Sequence, residues 1–118
     1  MNRLMRNRRD VYVCNQQEDK GRINFSKPIL YKLNYQPLSS AGEIVASGND
    51  YINRLVVYTS IENAKKIHNF DRCYVFTLPP NTYDAFCQDA DFYVDGEPLL
   101  YLNEAVFYLQ RMVGEADE

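Results

Sequence analysis

The chain has 118 residues, 46% of them hydrophobic and 25% charged, which is enough for one domain with a sizeable core and too few for two. Thirteen Lys and Arg against 16 Asp and Glu give a formal net charge of −3, which argues against a strongly basic nucleic-acid binder. No run approaches the ~18 apolar residues of a membrane span and no apolar segment follows the basic N-terminus, so a soluble cytosolic protein without membrane contact is expected.

Residues 1–9 carry Arg3, Arg6, Arg8 and Arg9 and no acid, and read as a flexible basic arm before a single domain over 10–113. Asp10–Cys14 is β-branched and aromatic and reads as a first strand. The polar stretch Asn15–Asn24, with Gly21 inside it, reads as a long hairpin connection. Ile29–Gln36 alternates with period two, placing Ile29, Tyr31, Leu33 and Tyr35 on one face, and Pro28 and Pro37 bound that strand. Residues 38–52 have two Gly, three Ser and no firm period. They read either as a long functional loop, its interaction residues Gly42, Glu43, Ile44, Val45, Gly48 and Tyr51, or as a helical turn over the core.

Asn53–Thr59 is a third strand, with Leu55 and Val57 opposite Val56 and Tyr58. Thr59-Ser60-Ile61-Glu62 has the Thr-x-x-Glu form of a capping box and predicts a short helix over about 60–68. Arg72–Thr77 is a further strand, closed by Pro79-Pro80, and a helical turn is expected around Tyr83–Cys87. Asp91–Val94 and Pro98–Leu102 flank Asp95-Gly96, which predicts a type I′ hairpin. Residues 103–113 fit a helix capped by Asn103 or a strand through Val106–Leu109, with the strand favoured, and 114–118 form an acidic tail.

About six short strands with one small helix and no βαβ spacing argue for a mainly β fold, a small antiparallel barrel or sandwich. Ten Tyr are more than so small a fold can bury with every hydroxyl paired, and such amphipathic rings suit interfaces. Residues 1–70 hold 11 basic and 6 acidic side chains while 71–118 hold 2 and 10. If the fold keeps those halves apart, a heterologous contact between successive subunits follows.

Catalytic equipment is sparse. Cys14, Cys73 and Cys87 are odd in number and form no CxxC pair, and read as reduced core thiols. His68 is the one histidine, and beside Lys65 and Lys66 it suits a solvated helix end. Asp84, Asp89, Asp91, Asp95 and Glu97 are numerous enough for an acid/base pair, but turn geometry explains them as well. No catalytic, cofactor-binding or metal-binding residue is assigned. An oligonucleotide-binding barrel and a small hydrolase using His68 or the Asp84–Glu97 carboxylates are the other readings.

The phrases DVYVCN, YKLNYQP, NRLVVYTS, FDRCYVF, DADFYVDGEP and FYLQRM, taken in this order over residues 10–112, resemble the head-closure or head-tail joining proteins of tailed-phage necks, which overlap with phage minor capsid proteins. The resemblance implies a non-enzymatic virion component without cofactor, a β-barrel that assembles as a ring beneath the portal. It implies as partners a portal or adaptor protein and a tail-side neck protein, with the 38–52 loop in the position of one that closes the DNA channel. In a ring the arginines of the arm would form a positive belt facing an acidic protein surface or passing DNA. The expected location is the virion neck, and before assembly the host cytoplasm.

Overall fold

The computed structural model describes residues 8–38, 53–82 and 85–112. Nine strands and one helix follow in order: β1 Arg9–Cys14, β2 Gln16–Asp19, β3 Arg22–Phe25, β4 Ile29–Pro37, β5 Arg54–Thr59, α1 Ile61–Ala64, β6 Arg72–Tyr74, β7 Phe92–Val94, β8 Leu99–Leu100 and β9 Ala105–Arg111. Strand alternation decides what lies inside. Val11 and Val13 of β1, Tyr31, Leu33 and Tyr35 of β4, Leu55 and Val57 of β5, and Phe107 and Leu109 of β9 all turn into one core.

Six strands close on themselves in the order β5-β4-β1-β6-β7-β9, because β5 also pairs with β9, and every pairing is antiparallel. The result is the expected mainly β fold, in its closed-barrel form. Closure removes sheet edges that an open sheet of these short strands would expose. β9 is the strand that makes it: Leu55 lies opposite Leu109 on one side and Val94 opposite Leu109 on the other. The seventh strand, β8, pairs only with β9, through Leu99–Val106 and Leu100–Ala105. The strand reading of 103–113 therefore holds.

Several expectations need correction. Asn15–Asn24 is no bare connection, since β2 and β3 form their own two-stranded hairpin around Lys20 and Gly21, whose φ values of 53° and 79° are the two positive angles of a type I′ turn. Asp95-Gly96 does not join a hairpin: β7 and β8 do not pair with each other, and both lie along the same side of β9. Among these two residues only Gly96 has positive φ, and its N–H donates to Asn69 Oδ1 at 2.8 Å, so the turn is docked sideways onto the loop after the helix.

The helix is shorter than expected and its cap is one residue later. Ser60 Oγ accepts from the Asn63 N–H at 3.2 Å, while the Thr59 hydroxyl accepts from Asn63 Nδ2 at 3.0 Å. Four residues cannot hold a helix by propensity alone, so burial of Ala64 and Ile67 fixes it. β6 stops at Tyr74 because the next two amides, of Val75 and Phe76, turn to the Asp91 carboxylate, each at 2.8 Å. Arg9, expected in the arm, belongs instead to β1, where it pairs opposite Leu33. The two halves of the chain stay apart in the barrel wall: β5, β4 and β1 stand side by side, as do β6, β7 and β9, and the halves meet along the two seams β1–β6 and β5–β9.

A second, smaller core lies outside the barrel wall. Cys14, Phe25, Tyr74, Cys87 and Ala90 bury each other beneath the β2–β3 hairpin, which is tied down by the Phe25 N–H donating to the Ala85 carbonyl at 2.7 Å.

Candidate functional site

The expected interaction residues Gly42, Glu43, Ile44, Val45, Gly48 and Tyr51 lie outside the described residues, as do Arg3, Arg6, Asp84 and part of the turn expected at Tyr83–Cys87. Arg8 is exposed and lines a shallow cavity with Leu30, Lys32 and Tyr58. Arg9 stacks its guanidinium 5.0 Å from the centre of the Tyr35 ring and so belongs to the barrel.

Of the described acidic side chains of the 84–97 region, Asp89 is exposed and the other three serve separate tasks. Asp91 holds the Val75 and Phe76 amides, Asp95 pairs with Arg54 at 3.3 Å, and Glu97 accepts from the Asn69 N–H. His68 Nδ1 lies 3.7 Å from Glu97 Oε1, with both side chains more than half exposed, which is a surface pair and not a buried dyad in a cleft. Among the described residues no three of His, Cys, Asp and Glu gather as metal ligands would. No helix among them is long and apolar enough to cross a membrane.

The three thiols are buried and unbridged. The hydrogen bond with Cys87, together with burial, pushes the Cys14 thiol far above its ordinary range, and burial does the same for Cys73. Burial likewise raises the Tyr74 hydroxyl, aided by the neighbouring Cys87. At neutral pH these groups stay protonated and pack as small apolar bodies.

Sequence reasoning missed Asp71, a buried carboxylate with three hydrogen-bond donors on it. It is 1% exposed and accepts from Asn15 Nδ2 at 2.7 Å, the Gln16 N–H at 2.8 Å and the His68 N–H at 2.8 Å. It thereby joins the end of β1, the start of β2 and the loop after α1, a structural task whose only sequence signal is an acid between two apolar-rich stretches.

Among the described residues two surfaces combine exposed apolar or aromatic side chains with a neighbouring cavity. One is the strip Leu99-Leu100-Tyr101-Leu102, exposed by 49, 56, 56 and 90%, at the terminal strand of the sheet. It continues over the outer wall of the barrel, where Tyr101, Tyr58, Tyr108, Val56 and Val106 line a shallow cavity of about 380 Å³. The other is a cleft of about 540 Å³ at the β7–β9 wall, rimmed by Phe70, Arg72, Tyr93 and Arg111 and floored in part by Phe25 and Met112. Gln16 and Gln110 complete it.

These features define a small closed antiparallel barrel with apolar and aromatic surfaces turned outward. Comparison with protein-family models, curated proteins and solved structures gives no match.

Proposed function

We propose that this chain is a non-enzymatic structural component of a tailed-phage or prophage virion, a head-closure protein that forms a ring beneath the portal. Its partners in this reading are a portal or adaptor protein, a tail-side neck protein and neighbouring copies of itself, and its location is the virion neck. The observation that supports it most is the strip Leu99–Leu102: four consecutive large apolar residues exposed on the two-residue terminal strand β8 and just after it are a liability for a protein that works alone, and suit one that is buried in an assembly. The phrases of residues 10–112 supply the kind of assembly, and a small antiparallel barrel is the fold that the resemblance implies.

The reading is tested by deleting the gene in the phage or prophage that encodes it and imaging the particles. DNA-filled heads separated from tails are expected; intact tailed particles would overturn it. The double substitution Leu100→Asp and Leu102→Asp should leave the barrel folded, since both side chains are exposed, and should abolish incorporation into particles.

A further inference from the structure

We infer that the cleft at the β7–β9 wall is a docking site for a short acidic segment of a partner protein carrying one aromatic or aliphatic anchor. The argument begins with Phe70. Its φ of 72° lies in the left-handed region, where Gly is free of strain and a bulky aromatic residue is an outlier. The backbone there is fixed from both sides: the Phe70 N–H donates to the Val94 carbonyl at 2.9 Å, the Asp71 N–H to the His68 carbonyl at 3.1 Å, and the neighbouring Asn69 is clamped to Glu97 and Gly96. The core does not need the ring, which is 55% exposed. A strained position that Gly would fill without cost instead presents a phenyl group at the rim of a cleft, which points to what the ring touches there.

Charge decides the kind of partner. Residues 71–118 contain ten acidic side chains and only two basic ones, Arg72 and Arg111, and both of those line this cleft, while no acidic side chain among the described residues does. Their guanidiniums are oriented in advance. Arg72 lies 4.6 Å from the centre of the Phe25 ring and donates to the Phe86 carbonyl, and Arg111 lies 5.1 Å from the Phe92 ring centre. Held over these rings, such groups lose little freedom on meeting a carboxylate. Phe70, Tyr93 and Met112 offer the apolar contact for an anchor side chain, and aromatic, Arg and Met residues are the types that interface centres favour. A polyanion such as nucleic acid fits less well, because two guanidiniums on a chain of net charge −3 give no track for successive phosphates. This inference concerns the cleft alone and stands apart from the connector reading.

The test is a titration of the full chain, followed by NMR, with a blocked pentapeptide Asp-Glu-Phe-Glu-Asp, its amide counterpart Asn-Gln-Phe-Gln-Asn and a thymidine oligonucleotide. The acidic peptide should saturate, shifting the resonances of Phe70, Tyr93 and Met112. It should weaken as salt rises and bind about tenfold more tightly than the amide peptide. Phe70→Gly should lose that binding while its thermal midpoint stays level or rises, a combination that a purely structural Phe70 would not give. Arg111→Gln should weaken the acidic peptide and leave the amide peptide unchanged. The inference is overturned by no binding, by equal binding of the two peptides, by preference for the oligonucleotide, or by full affinity in Phe70→Gly. It is also overturned if the acidic peptide binds only after residues 113–118 are removed, which would assign the cleft to the chain's own acidic tail.

Discussion

Asp71 shows how much one buried acceptor can hold. Three N–H donors, from Asn15, Gln16 and His68, converge on its two oxygens, and removing them leaves all three donors short of a partner in a closed space. Asp71→Ala should therefore cost about 3 kcal/mol, read as a lower urea midpoint, and Asp71→Asn nearly as much, because one amide oxygen replaces two acceptors. A loss under about 0.5 kcal/mol would mean that the knot is not needed. The thiols and phenols make a second prediction at this scale. Cys14 and Cys73 are raised from an ordinary 9.0, and Tyr31 and Tyr74 from 10.0, so the folded state holds these protons more tightly than the unfolded chain. Their contribution is fully present below about pH 9 and is lost as pH climbs through the raised values. Thermal midpoints should be level through neutral pH and fall steadily above about pH 9; a level profile to about pH 11 would contradict it.

At the scale of elements, the hairpin β2–β3 rests on Lys20 and Gly21. Gly21 has φ 79° with open space around it, so Gly21→Ala meets no clash and is penalised by conformation alone. It should cost about 1 kcal/mol and raise amide exchange across Gln16–Phe25 first, leaving the barrel strands protected. The Ser60→Ala change should cost about 1 kcal/mol through loss of the bond to the Asn63 N–H. The barrel strands themselves were legible because their alternation is local: Tyr31, Leu33 and Tyr35 declare an inward face without knowledge of any partner. Pairing was not legible. Lys20-Gly21 and Asp95-Gly96 look alike as dipeptides, and only the second meets Asn69, a residue distant in sequence that takes its Gly N–H. The cleft was hidden for the same reason, since Phe70, Arg72, Tyr93 and Arg111 come from three separate stretches and one strained angle. The odd feature that could have been noticed is that the acidic half keeps only two arginines.

For the whole molecule, β5, β4 and β1 form one continuous side of the barrel and β6, β7 and β9 the other, so the two halves of the chain meet only along the β1–β6 and β5–β9 seams, and a head-to-tail contact between unlike sides is geometrically open to this barrel. In the connector reading, contacts through the strip at β8 and the cleft form on a preassembled partner and not between free copies. Light scattering of the purified protein should accordingly give a monomer or small oligomer in dilute solution, and a tight dimer at micromolar concentration would contradict the connector reading. In the core, Phe107 of β9 is 1% exposed and touches the wall where the barrel closes, so Phe107→Ala should cost about 3–5 kcal/mol and lower the thermal midpoint sharply.

β9 carries a further consequence, for synthesis. Every other strand of the barrel leaves the ribosome before it, so a nascent chain that has reached Asn103 carries β5 and β7 with no neighbour along the sides that β9 will later cover. Such unpaired borders invite pairing between chains, and their lifetime depends on how fast translation delivers seven more strand residues. Slowed translation or premature termination near Asn103 should thus send the product into insoluble aggregates, whereas a chain carried through Met112 should fold in solution.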